Sequence, residues 1–423
     1  IMAIAALAVL TIALIGQAIE MRKIRMRTYG EDSIGGAFND YNSHAHIAEK
    51  FKSNFFYTLL NYNDLSHRHS PIFYILKSIF LNFGELGQKI LFLHLFLLIP
   101  IFFYKSLKIV FNQAPKINLK LLSTIILLFP TFRSYSIWPD PHLLGTLFFI
   151  ISVYYYLKFK KNKNPFQNSL INTFFLSLSA YCSPNFGMFA IFFFINYCLK
   201  FKISKEILII SIFNILLSIP FFYYLFILEV NFLFNISGWD IGENLYNIAN
   251  IFNKIIIIIS LLFFYLLPFI LSKNLNYNFR NIIKIKNEFI VYLILFFIMC
   301  YFFDFSDTYN LTNSGGGFIY NLSQIIFKNN LILFVICFFT YIYLVQIFKA
   351  NKNNILLFII LILSHPQNTI WQANFSPTIY FLILLLFNLE LKKDAIKIRT
   401  IYLNYIYFSL YLVSSITYKI LIN

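Results

Sequence analysis

Long apolar stretches recur along this whole chain, and each of them must be buried in protein or face lipid. Ile90–Tyr104, Leu143–Leu157, Ile207–Leu228, Ile255–Leu271, Phe289–Phe303, Leu331–Phe348 and Ile401–Tyr418 are such runs. All reach or approach the roughly 17–25 residues needed to cross a bilayer core of about 30 Å. A soluble domain carries roughly 25% charged residues; this chain carries 12%, against 59% hydrophobic and 20% aromatic. Its surface cannot face water over most of its area. Continuous apolar runs are what membrane-crossing helices need, since each backbone polar group must be satisfied within its own segment. The sequence therefore predicts an all-α polytopic membrane protein, a single transmembrane domain over residues 1–423.

The net charge of +17 would suit a nucleic-acid binder, but its distribution points elsewhere. Basic clusters occupy every second short loop: Lys105–Lys120, Lys158–Lys163, Lys200–Lys205, Lys273–Lys286, Lys349–Lys352 and Lys392–Arg399. By the positive-inside rule these loops are cytoplasmic, and no nucleic-acid partner is expected. The intervening segments Met21–Gln88, Arg133–Pro141, Tyr181–Phe186, Glu229–Ala249, Asp304–Asn330 and Ser364–Pro377 then lie outside and hold most of the acids. With Ile1–Ile19 read as a first span, the alternation implies about 13 transmembrane helices. Arg22, Lys23, Arg25 and Arg27 run against it and suit an anionic lipid headgroup outside, or a solvated helix end.

The first external loop, 21–88, is the longest polar segment, ahead of the remaining bundle, 89–423. It holds four of the seven histidines, His44, His46, His67 and His69. Asp40 and His44 are four apart and would share a face of a helix, with Asn39 or Asp40 suited to cap it. Ile47, Phe51 and Phe55 supply an apolar stripe. Cys182, Cys198, Cys300 and Cys337 sit in or beside apolar segments with no metal-ligand spacing and read as packing residues. Ser314-Gly315-Gly316-Gly317 lacks the context of a nucleotide-phosphate loop and reads as a flexible turn before a re-entrant or amphipathic segment. Trp239 and Trp371 read as interface anchors.

In these loops the chain resembles the GT-C glycosyltransferases, among them protein O-mannosyltransferases and lipid A aminoarabinose transferases. The carriers are Asp40 soon after the first span, the segment ending near Ala48-Glu49-Lys50-Phe51, and His69-Ser70-Pro71-Ile72-Phe73-Tyr74. Ser136-Ile137-Trp138-Pro139-Asp140-Pro141 follows in the second external loop, and Ser183-Pro184-Asn185 in the third. Ser364-His365-Pro366 resembles the late polar loop of dolichol-pathway glucosyltransferases. Tyr41 stands where the family often has Glu, and His69 where it has Lys.

The resemblance implies transfer of a sugar from a polyprenyl-phosphate donor to a lipid, glycan or protein hydroxyl, outside a bacterial inner membrane. That chemistry needs a carboxylate to take the acceptor proton and donors to hold the leaving phosphate. Asp40 and Asp140 are the candidate catalytic residues; a helix cap and a turn aspartate are their plain structural readings. His44, His67, Arg68, His69, Arg133 and His365 are the candidate substrate contacts. No cofactor is required, although His44, His46 and a carboxylate could hold a divalent metal. The alternative is a transporter, flippase or glycan polymerase. Transporters keep ionisable groups within spans, whereas here they fall in loops.

Overall fold

The computed structural model describes residues 37–65, 69–229, 248–272, 286–305, 315–365, 370–389 and 392–422. The expected first span, the arginine cluster after it, His67, Arg68, Trp239 and most of the Lys273–Lys286 loop lie outside the described residues. Every regular element among those described is helical.

The chain opens with α1 (Ala37–Ser53) and α2 (Phe55–Leu60), followed by α3 (Ile72–Phe80), α4 (Gly84–Phe96) and α5 (Leu98–Val110). Next come α6 (Lys116–Thr124), α7 (Pro130–Ile137), α8 (Pro141–Lys160) and α9 (Pro165–Cys182). Proline opens α7, α8 and α9, where its missing N–H costs nothing and its fixed φ suits the first turn. Then follow α10 (Phe189–Phe201), α11 (Lys205–Phe222), α12 (Ile248–Ser272) and α13 (Lys286–Tyr301). The last third comprises α14 (Gly317–Phe327), α15 (Leu331–Ala350), α16 (Lys352–Leu363) and α17 (Gln372–Phe375). It ends with α18 (Thr378–Phe381, running into a π turn to Leu386), α19 (Lys392–Ala395) and α20 (Ile398–Ile422).

Five helical segments among the described residues are long and apolar enough to cross a membrane: 72–110, 141–160, 184–201, 205–227 and 251–272. A sixth is added if 116–128 and 130–137, bent by 67°, form one crossing. Within its most apolar window α8 is 78% buried, whereas the segment containing α11 is 11% buried. α8 is therefore the most enclosed of these segments, and α11 leaves its Ile and Phe side chains exposed. An aromatic knot ties the core: Phe129 packs on Tyr265, Tyr380 and Phe408 at 5.5, 5.4 and 4.6 Å between ring centroids. Such pairs add about 0.5–1.5 kcal/mol beyond their buried area.

Alternate loops find one another, as a polytopic bundle requires. At one end Tyr224 donates to the Leu59 carbonyl (2.9 Å), Ser70 to the Tyr181 carbonyl, and Asn253 to the Asp304 carbonyl (2.5 Å). These residues lie in or beside segments expected on the outer side. The inner set joins likewise: Asn118 donates to the Ile396 carbonyl (2.8 Å) and Lys200 to the Phe159 carbonyl (2.9 Å).

Candidate functional site

The first long loop folds over the mouth of the bundle. The amphipathic stripe expected on α1 forms, and Ile47 and Phe51 are buried. α1 begins at Ala37, so Asp40 is a first-turn acid rather than the cap; there it faces the positive end of the helix dipole. Asp40 is exposed while His44 is buried. The two stand one turn apart on α1, with the histidine end of that face turned inward beside Tyr41.

His44 meets Asp140 instead. Asp140 caps α8, its Oδ1 accepting from the His142 N–H at 2.7 Å, so the turn role expected of it is present. Its Oδ2 lies 3.7 Å from His44 Nε2, with the two side chains 16% and 5% exposed. On the far side of the ring, His44 Nδ1 is 3.2 Å from the Tyr74 hydroxyl. Burial alone would push the Asp140 carboxyl up, but His44, with help from His142, outweighs it and holds the carboxyl below the usual range. The result is a line of Tyr74, His44 and Asp140 on the buried side of α1.

Two lysines flank this line. Lys77 is fully buried and donates to the Tyr41 carbonyl at 2.9 Å, with Nζ 3.9 Å from the centre of the Tyr41 ring. The Tyr41 hydroxyl donates to Gln88 at 2.8 Å. Lys89 Nζ lies 4.0 Å over Trp138 and 5.2 Å from Tyr41, and pairs with Glu85 at 2.7 Å. A buried lysine is costly unless ringed by acceptors and aromatic faces, and Tyr41 supplies both. The sequence held one signal for Lys77, a lone cation inside the apolar run Ile72–Phe83.

Of the other expected contacts, His69 reaches the site edge-on, 5.8 Å from His44 between ring centroids. Arg133 is half-buried on α7, the helix leading into Trp138 and Asp140. His365 belongs to a second cluster. Its Nε2 is 2.7 Å from Asn185 Nδ2, and its Nδ1 is 3.1 Å from Ser364 Oγ, which itself donates to Leu361. That network assigns a neutral ring, with Nδ1 the donor and Nε2 the acceptor. His142 bridges the two clusters: its ring is 3.2 Å from Ser183 Oγ and stacks on Phe186 at 5.4 Å.

The suggested His44–His46 metal pair does not assemble, since His46 is exposed where His44 is buried. Among the described residues no three His, Cys, Asp or Glu side chains are placed to hold a metal. No family model, curated protein or solved structure matches the chain.

Proposed function

We propose that the protein is a glycosyltransferase of the outer membrane face, moving a sugar from a polyprenyl-phosphate carrier to an acceptor hydroxyl. The observation that carries this reading is the Asp140–His44 pair at 3.7 Å beside Lys77 and Lys89. A carboxylate–imidazole pair can take the acceptor proton, and neighbouring cations can steady the charge that develops on a departing phosphate. Apolar helices reaching this mouth offer the isoprenoid a path along the bilayer. In this reading the mouth opens outward from a bacterial inner membrane, and Asp140 with His44 is the base. Asp40, exposed on α1, is the other carboxylate available.

The test is sugar transfer by purified protein given polyprenyl-phosphate sugars and a hydroxyl acceptor. Asp140→Asn should lose about 10²–10⁴-fold in rate with donor binding retained, and Asp40→Asn should stay near wild type. A dead Asp40→Asn beside an active Asp140→Asn would move the base to Asp40. Wild-type transfer by both would remove the proposed mechanism. A second reading, solute transport, is favoured by the half-length helices α14 and α16. Uptake into proteoliposomes without any transfer product would select it.

A further inference from the structure

Two half-length helical elements meet end to end inside the bundle. The outer one is α14. Just beyond its end, Leu331 starts α15, which runs beside α12, with Cys337 Sγ donating to the Ile256 carbonyl at 3.4 Å. That contact sets the start of α15 level with the outer end of α12. Gly317, the first residue of α14, lies instead against Leu261, near the midpoint of α12: a Cβ there would come within 2.7 Å of Leu261 Cδ2. Eleven helical residues rise about 16 Å, which matches that descent.

The inner element is a hairpin. α16 rises from Lys352 for twelve residues, about 18 Å. α18 and its π turn descend to Asn388, which Asn354 clamps through bonds of 3.1 and 2.8 Å. At the top, the Ile370 carbonyl accepts from the Gly316 N–H and Gln372 Oε1 from the Phe318 N–H, both at 2.8 Å. The hairpin tip thus meets the foot of α14 at the level of Leu261. Neither arm is long enough to cross a core of about 30 Å, so two of the crossings expected from hydropathy become one re-entrant hairpin. Irregular backbone survives at that depth only inside protein or beside water, and Ser364, His365, Gln372 and Ser376 are all buried.

The tip carries a small hollow with polar groups on part of its wall. Asn185, Ser364, His365, Asn374 and Thr378, together with Phe186, Phe189, Leu361 and Phe375, line a cavity with about 10 Å³ of free space, room for one hydroxyl group or one water. Thr378, on its wall, is 4% exposed and its hydroxyl has no partner. No carboxylate lines the hollow and its imidazole is neutral, which disfavours an ion. Amides and hydroxyls suit a neutral group that both donates and accepts. Above the hollow, Phe186 stacks on His142, whose backbone N–H is held by Asp140, so His142 stands between the hollow and the mouth.

We propose that the opposed half-helices hold a hydroxyl-binding site at mid-depth, reached by water from the outer face past Asp140 and His142. The site is independent of the transferase reading. Its test is thiol labelling of full-length protein in intact cells with a membrane-impermeant methanethiosulfonate. Asn374→Cys, with Trp371→Cys as a second variant on the same tip, is compared with Ile359→Cys on the exposed face of α16. The tip thiols should react at least about tenfold faster, because apolar surroundings raise a thiol pKa and each pH unit removes tenfold of its thiolate. A neutral disaccharide such as sucrose distinguishes the sources of the hydroxyl: slowed labelling assigns a sugar, an unchanged rate assigns water. Tip thiols in folded protein that react no faster than Ile359→Cys, or react only from the inner side, would overturn the site.

Discussion

Asn354 holds Asn388 by both ends of one side-chain amide, Nδ2 donating to its carbonyl at 3.1 Å and Oδ1 accepting from its N–H at 2.8 Å. The two bonds close the base of the inner hairpin where α16 starts and the π turn ends. Asn354→Ala strands two backbone groups of Asn388, at about 1–3 kcal/mol for each one left buried. The expected outcome is a lower thermal midpoint in detergent, followed by tryptophan fluorescence. Asn354→Asp keeps the acceptor and should fall between the two. An Asn354→Ala midpoint equal to wild type would show that the hairpin stands without this clamp.

Gly317 is the position where the two half-helices demand glycine. Its φ is +82°, and a Cβ would meet Leu261 Cδ2 at 2.7 Å. Gly317→Ala adds left-handed strain of about 1–3 kcal/mol to that clash. Leu261→Ala in the same chain should recover the steric part and leave the backbone part, a non-additive pair read by a double-mutant cycle. Strict additivity would separate the two residues.

The Asp140 carboxyl, held below its ordinary range, makes stability depend on acid. A depressed carboxylate contributes fully above the unfolded pKa of about 3.9, and that contribution is lost as pH falls through the lower folded value. Asp140→Asn keeps a competent helix cap but loses the charge facing His44. It should be less stable than wild type at neutral pH, and the two midpoints should converge as the buffer is taken below about pH 4. Parallel midpoint curves across that range would deny the pair any electrostatic share.

Lys89 sits over Trp138 at the rim of the mouth, whereas Lys77 is sealed beneath Tyr41. Under the proposed function, Lys89→Met should weaken binding of a polyprenyl phosphate by about 1.5–3 kcal/mol, the usual loss for a charge-assisted bond, at unchanged thermal midpoint. Lys77→Met should lower the midpoint as well, because the Tyr41 carbonyl loses its donor. Titration of purified variants with the lipid phosphate separates the two. Equal binding by Lys89→Met and wild type would take Lys89 out of the site.

The all-helical fold with several membrane-length apolar helices was legible in the sequence, because hydropathy is summed locally and needs no knowledge of packing. Asp140 also stood out, since a carboxylate between Pro139 and Pro141 must sit at a helix start. A turn at Gly316–Gly317 leading into a short apolar helix was likewise readable. Two half-length helices around a polar turn have nearly the same hydropathy as two crossings around a tight loop. Only the contacts of Gly316, Phe318 and Asn354 with residues far along the chain decided that α16 and α18 form a hairpin. Tertiary structure likewise brought His44 to Asp140 and enclosed Lys77. Which way a helix rolls depends on the summed burial of every neighbour it meets, and no single segment contains that information.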